Sequence, residues 1–206
     1  LPVAAALDAS LLTGLPAHIT AATGMDALTH AVEAYIGVWD RGDCMEKSEA
    51  AVKLIFDQLQ TACTDGSNAD ARDAMAQAAY MAGQAINQVN VGNVHAIAHQ
   101  LGAFYGIPHG LANAMVMPHV LDCSLESARE RLTELARMIN KSSAEEFIAA
   151  VREMNQAVGI GEKADGLKAG DYDAITARAI VEADGYAVPH MLSETEVHRI
   201  LKKLTA

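Results

Sequence analysis

Apolar positions recur at helical spacing along most of the chain, and short polar or glycine-containing segments separate one run from the next. In the run 45–62, Leu54, Ile55 and Leu59 form an apolar stripe while charged residues fall on the opposite face. The opening segment, 2–16, is predicted to be a short apolar strand or extended piece that ends in a turn. The same pattern predicts helices at about 23–37, 45–62, 69–89, 126–140, 143–158, 171–183 and 194–204. The pattern therefore favours an all-α fold, arranged as an antiparallel helical array.

The composition is consistent with a single helical domain over residues 1–206. The chain has 206 residues, of which 51% are hydrophobic and 4% aromatic, so one sizeable core can be built from Ala, Leu, Val, Ile and Met. Charged or polar residues break the longest apolar runs within about fifteen positions, short of the ~20 that a membrane-spanning helix needs. We therefore predict no signal peptide and no membrane span.

Net charge limits the possible binding partners of the chain, and cysteine content indicates its compartment. The formal net charge is -11 at pH 7, which disfavours nucleic acids and anionic membranes as partners because both require a basic face. Cys44, Cys63 and Cys123 are odd in number and show no CxxC spacing. Free thiols in a reducing compartment explain this arrangement best, so the sequence predicts a cytoplasmic protein.

The stretch 88–120, QVNVGNVHAIAHQLGAFYGIPHGLANAMVMPHV, concentrates the candidate chemistry. His95 and His99 are four positions apart, so they project from one face of a predicted helix. Gly106 and Pro108 break that helix, and His109 lies in the first turn of the next one. Imidazoles from two helices can therefore converge on one point.

A second polar pair lies upstream, where Asp26 and His30 are also four positions apart on a predicted helix. With His95 and His109, this pair offers one carboxylate oxygen and three imidazole nitrogens, a set that suits Fe(II) or Zn(II). Spacing does not separate these ions. It also does not decide whether His95 or His99 is the ligand.

A competing interpretation treats these histidines as hydrogen-bonded core residues, which is the commoner role of a lone histidine on an apolar helix face. Two spaced pairs and a further histidine after a Gly/Pro corner favour a metal site over this interpretation. The HExxH pattern is absent, so a reaction in which the ion holds an oxygen is favoured over metal-assisted hydrolysis. The remaining histidines have no partner at ligand spacing and are predicted to be structural or exposed: His18, His119, His190 and His198.

Three segments resemble the iron-containing (group III) alcohol dehydrogenase family and occur in that family's order: PVAAALDASLLTGLP, GMDALTHAVEAYI and GNVHAIAHQLGAFYGIPHGLANAMVMPHV. The resemblance is strong from Leu1 to about Cys123 and weaker towards the end of the chain. It implies the C-terminal helical domain of the dehydroquinate synthase-like/iron-containing alcohol dehydrogenase fold. The family's N-terminal Rossmann-like domain is not matched, and no glycine-rich dinucleotide turn is present.

The resemblance also implies a role for each candidate residue. It places Asp26 and His30 in the metal site, together with His95 and His109, and so selects His95 over His99. His99 then faces the catalytic cleft near nicotinamide and substrate, where it is expected to relay a proton or to position the reactants.

The implied activity is that of an NAD(P)-dependent alcohol dehydrogenase acting on a small alcohol or aldehyde. Fe2+, or Zn2+ in its place, is expected to polarise the substrate oxygen while hydride passes to or from nicotinamide. Because the chain matches one of the family's two domains, we expect a fragment that does not hold NAD(P) or transfer hydride alone.

Two alternatives stay open at this point. One is a sister enzyme of the same superfamily, such as a zinc-dependent glycerol dehydrogenase or a dehydroquinate synthase-like enzyme. The other is a non-catalytic helical interaction module with core histidines. The resemblance also admits a homodimer, although the sequence carries no interface signal of its own.

Overall fold

The computed structural model describes residues 3–39 and 42–206, and this part of the chain is all-helical, as predicted. Over these residues it contains α1 (Ala17–Ile36), α2 (Cys44–Thr64), α3 (Ala69–Val89), α4 (Asn93–Tyr105), α5 (His109–Met138), α6 (Ala144–Ala157), α7 (Tyr172–Ala183) and α8 (Glu194–Leu204). Short 3-10 helices occupy Ala9–Leu12 and Ala169–Asp171.

The opening segment forms no strand where it is described: a 3-10 helix at Ala9–Leu12 replaces part of the predicted extended piece, and a turn at Thr13 and Gly14 follows it, as predicted. Pro2, the first residue of that prediction, lies outside the described residues. None of the described helices combines the length and the apolar character needed to cross a membrane.

Helix α1 is the central element of the array, because it packs against α2, α3 and α5. Its close approach to α2 and α3 depends on Gly24. A Cβ atom at that position would lie 2.3 Å from Cδ1 of Leu59 and 3.1 Å from Cε of Met75. The missing side chain allows tight helix packing at the point where α1 begins to carry functional residues.

The predicted corner between α4 and α5 is confirmed. Gly106 ends α4 in the left-handed conformation, with φ of +66°, and its N–H donates to the Gly102 carbonyl at 2.9 Å. Pro108 then occupies the N-cap of α5, whose first residue is His109. The two helices that carry the histidines of this stretch therefore meet at a short, sharply defined corner.

Helix α5 continues through Pro118, so the prediction of a separate helix starting at about position 126 is wrong. Proline lacks the N–H that would bond the carbonyl four residues earlier, and that carbonyl belongs to Ala114. The buried side chain of Asn155, on α6, supplies the missing donor: its Nδ2 lies 2.7 Å from the Ala114 oxygen. A bond from another helix thus keeps α5 continuous.

This arrangement predicts an energetic coupling between Pro118 and Asn155. Asn155→Ala should cost about 1–3 kcal/mol of unfolding free energy, because it leaves the buried Ala114 carbonyl without a donor. In a Pro118→Ala background the restored N–H can reach that carbonyl. The cost of Asn155→Ala should therefore be smaller there by about 1 kcal/mol or more. Urea denaturation of the four proteins measures the coupling.

The exposed neighbour Gln156 provides the control for this cycle. Gln156→Ala should change stability by less than about 0.5 kcal/mol in either background. An equal cost of Asn155→Ala with and without Pro118 would mean that the side-chain bond does not replace the missing backbone bond.

Candidate metal centre

Three helices bring one carboxylate and three imidazoles to a single point. Asp26 and His30 come from α1, His95 from α4 and His109 from α5, and one ligand atom of each lies within 4.8 Å of the others. Oδ1 of Asp26 is 3.8 Å from Nε2 of His95 and 3.4 Å from Nε2 of His109. The rings of His30 and His95 are stacked, with centroids 4.8 Å apart. A single divalent ion fits the donor types of this group.

The first turn of α5 reaches the site because Gly110 has no side chain. A Cβ atom there would lie 2.3 Å from the Ala22 carbonyl oxygen and 3.2 Å from Cβ of Asp26. The obstacle is mainly the backbone of α1, which cannot turn aside as a flexible side chain can. Gly110 therefore sets the distance between Asp26 on α1 and His109 on α5.

Glu33 orients His95 and caps the helix that carries it. Its carboxylate accepts hydrogen bonds from the backbone N–H of Gly92 at 2.8 Å and of Val94 at 2.7 Å, at the start of α4. The same carboxylate lies 2.6 Å from Nδ1 of His95. With Nδ1 engaged by Glu33, Nε2 of His95 is the nitrogen that faces Asp26, in the carboxylate–histidine arrangement common at metal centres.

The electrostatics of the cluster differ from one histidine to the next. Burial lowers the pKa of His30 and of His109, although the charge of Asp26 acts in the opposite direction. Burial also opposes the protonation of His95, but the hydrogen bond and charge of Glu33 outweigh it and raise the pKa of His95. These effects favour the neutral, metal-binding form at His30 and His109 and oppose it at His95.

Asn113 supports the assignment of a cation to this site. Its Nδ2 lies 2.6 Å from Oδ1 of Asp26 and 3.1 Å from Nε2 of both His95 and His109. Three candidate ligand atoms therefore lie within hydrogen-bond distance of one amide nitrogen, which carries partial positive charge on its hydrogens. A donor set of this kind fits a cation.

His99 lies beside the four-residue cluster and is not a member of it. Its ring stacks on that of His109 with centroids 5.2 Å apart, and its side chain is 40% exposed, against 2% for His95. Nδ1 of His99 is 2.5 Å from Oε1 of Glu182 on α7, whose carboxylate also accepts from Gln100 and Tyr186. His99 is thus oriented by α7 at the open side of the cluster.

The remaining histidines lie outside the group of four ligand atoms. His190 pairs with Glu196 at 3.0 Å and His198 pairs with Asp173 at 3.1 Å, while His18 is exposed. His119 is partly buried further along α5.

Sequence reasoning missed three polar residues that organise the site. Glu33 follows His30 by three positions on α1, and Asn113 follows His109 by four on α5, so helical spacing was an available signal for both. Glu182 has no such signal, because it comes from α7, 83 positions from His99.

The fold is an all-helical domain over the described residues, and its candidate site is a group of side chains that could hold a metal ion. Residues 20–205 match the model of the Fe-containing alcohol dehydrogenase family, C-terminal, and the chain belongs to this family. It is 37% identical to a 1,3-propanediol dehydrogenase of Klebsiella pneumoniae, over 98% of this chain and 55% of that protein. It is also 37% identical to alcohol dehydrogenase 4 of Saccharomyces cerevisiae, over 98% of this chain and 54% of that protein.

A solved structure shows the same architecture. The crystal structure of a 1,3-propanediol oxidoreductase superposes with a TM-score of 0.92 at 37% identity, over 96% of this chain and 54% of that one. The chain thus spans about half the length of the relatives it matches. The predicted family and helical domain are both confirmed.

The role of Gly110 can be tested against a second helical glycine. Gly110→Ala should destabilise the protein by about 1–3 kcal/mol, because its Cβ overlaps the α1 backbone. It should also weaken divalent-metal binding, because it displaces His109 from Asp26. Gly83→Ala on α3 is the matched control: no atom lies within 4 Å of its added Cβ, so it should stabilise by about 0.5–1 kcal/mol. Similar effects of the two changes on stability and metal affinity would contradict the packing argument.

Glu33→Gln tests the orienting carboxylate. The amide keeps the size of the side chain but removes the charge and one acceptor oxygen, so Zn2+ affinity should fall about 10–100-fold. Competition with a chromophoric chelator measures this affinity. Glu49→Gln is the control, because Glu49 also accepts a hydrogen bond, from the Tyr35 hydroxyl at 2.9 Å, but outside the cluster. Unchanged affinity in Glu33→Gln would show that His95 is held by packing alone.

Proposed function

We propose that this chain is the metal-binding catalytic domain of an NAD(P)-dependent oxidoreductase acting on small alcohols or aldehydes. The observation that carries this proposal is the convergence of Asp26, His30, His95 and His109 within 4.8 Å. Membership of the Fe-containing alcohol dehydrogenase family supports Fe2+ as the ion, and the same donors also suit Zn2+.

Asp26, His30, His95 and His109 would hold the ion, and their geometry gives each of them a place in the set. Asp26 offers a carboxylate oxygen that faces Nε2 of His95 and of His109, and it supplies the negative charge of the group. His30 stacks on His95 and completes the set from the same helix as Asp26. Glu33 keeps the Nδ1 side of His95 occupied, so Nε2, which faces Asp26, is the nitrogen that would hold the ion. When bound, a divalent ion supplies Lewis acidity that favours loss of the alcohol proton and polarises an aldehyde.

His99 is proposed to position the reactants and to relay a proton. Its Nδ1 faces the Glu182 carboxylate, so its Nε2 is the nitrogen left to act at the exposed side of the cluster. Tyr186 donates to the same carboxylate oxygen at 2.8 Å and extends the hydrogen-bonded chain away from the cluster. The Glu182 carboxylate is therefore the hydrogen-bond partner that would stabilise a proton held at His99.

The hydride acceptor is proposed to be the nicotinamide of NAD(P), held by a nucleotide-binding domain outside these residues. Two relatives are named as a 1,3-propanediol dehydrogenase and an alcohol dehydrogenase, which supports a small alcohol as substrate. Cys44, Cys63 and Cys123 form no disulfide bond with one another, which supports a cytoplasmic location. The proposal includes a homodimer, and the family resemblance is the only support for it.

Metal content tests the proposal directly. Protein purified without oxygen and supplied with Fe2+ or Zn2+ should retain about one ion per chain, and His109→Ala should lose it because one of four ligands is missing. His119→Ala is the matched control, since it removes a histidine of the same helix outside the cluster. Elemental analysis gives the stoichiometry.

A catalytic centre must also keep a coordination position open, unlike a closed structural site. The visible spectrum of the Co2+-loaded protein should therefore change when 1-propanol is added. If His109→Ala and His119→Ala both kept the ion, or if both lost it, the ion would have to bind elsewhere on the chain. Absence of any stoichiometric ion would instead favour a helical interaction module whose histidines are structural.

A further inference from the structure

Asn113, on α5, is a fully buried side chain that contacts the candidate metal ligands without being one of them. Its Nδ2 lies 2.6 Å from Oδ1 of Asp26 and 3.1 Å from Nε2 of both His95 and His109. Three of the four candidate ligands thus surround one amide nitrogen. Hydrogen bonding also decides which end of the amide faces them, because the reverse orientation would set two acceptor oxygens 2.6 Å apart.

These contacts and a metal ion need the same lone pairs. A neutral imidazole has a single acceptor nitrogen, with one lone pair in the plane of the ring. Nε2 of His95 can therefore accept a hydrogen bond from Asn113 or bind an ion, but not both, and the same holds for Nε2 of His109. The amide carries only two hydrogens for three acceptors, so it satisfies this group less completely than a divalent cation would.

The opposite end of this amide is not anchored. Oδ1 of Asn113 is buried and has no hydrogen-bond partner in the part of the chain that the structure describes. Turning the amide about its Cβ–Cγ bond therefore breaks no hydrogen bond at the oxygen. An unpaired acceptor in a protein interior is uncommon, and here it lowers the cost of moving the amide away from the ligands.

We propose that Asn113 is an internal competitor of the metal ion, which must displace the amide hydrogens from His95 and His109 in order to bind them. This inference rests on the proposed function, because it concerns the same metal site. The ligands keep their places when the amide turns, since Glu33 orients His95 and the close contact at Gly110 sets the position of His109. The amide of Asn113 therefore reduces the affinity of the site for the ion.

Asn113→Leu tests this inference, because leucine is close to asparagine in size but has no donor. This variant should bind Zn2+ about tenfold more tightly than the wild-type protein, since the ion no longer replaces hydrogen bonds. Asn113→Ala should shift the affinity in the same direction by less, because water can fill the space and donate in place of the amide. Competition with a chromophoric chelator measures each affinity. Urea denaturation of the chelator-treated proteins should show lower stability for both variants, because the buried acceptors lose their donor.

Asn155→Leu is the matched control. Asn155 is also buried, its Nδ2 also donates a hydrogen bond, to the Ala114 carbonyl, and its Oδ1 likewise has no partner among the described residues. It lies outside the metal cluster. The change should lower stability as well, but it should alter Zn2+ affinity by less than about twofold.

The wild-type protein separates failure of this inference from failure of the proposed function. If it binds about one ion per chain and neither Asn113 variant binds more tightly, the inference is overturned and Asn113 is a positioning residue of the site. If the wild type binds Zn2+ weakly and the Asn113 variants reach about one ion per chain, the inference is supported. If none of these proteins takes up an ion, the proposed metal site fails, and competition for it fails with it.

Discussion

The arrangement of the helices around the candidate metal centre depends on the buried carboxylate of Glu33. A charged group that is only 6% exposed must be fully hydrogen-bonded to be tolerated, and this one has three donors: two backbone N–H groups at the start of α4 and His95. It also satisfies backbone groups that every helix N-terminus leaves unpaired. One carboxylate on α1 therefore both holds the start of α4 and orients His95.

Side-chain volume then decides how close the other elements come. Gly24 lets α2 and α3 close on one part of α1, and Gly110 lets the first turn of α5 touch the α1 backbone near Asp26. These packing contacts fix the positions of the candidate ligands, which reduces the conformational entropy that the ligands would lose on binding an ion. The amide nitrogen of Asn113, which lies within hydrogen-bond distance of three candidate ligand atoms, helps to fix the same positions.

The sequence predicts what is local and misses what arrives from distant helices. The pairs Asp26/His30 and His95/His99 follow from helical spacing, and the corner before His109 follows from glycine and proline chemistry. The break expected beyond Pro118 does not occur, because the donor that repairs α5 belongs to Asn155, a residue 41 positions from the carbonyl it serves. Glu182 likewise acts on His99 from 83 positions away, a distance at which spacing carries no information.

The choice between His95 and His99, which spacing leaves open, has a physical basis in their carboxylate partners. Each histidine presents Nδ1 to a glutamate, so each directs Nε2 away from that glutamate. The partner of His95 comes from α1, the helix that carries Asp26 and His30, and it turns a nearly inaccessible ring into the cluster. The partner of His99 comes from α7 and holds a partly exposed ring at the mouth of the site. The same pairing thus supports the proposed role of His95 as a ligand, because its ring is enclosed among the other candidate ligands, and the proposed role of His99 beside the reactants, because its ring is open.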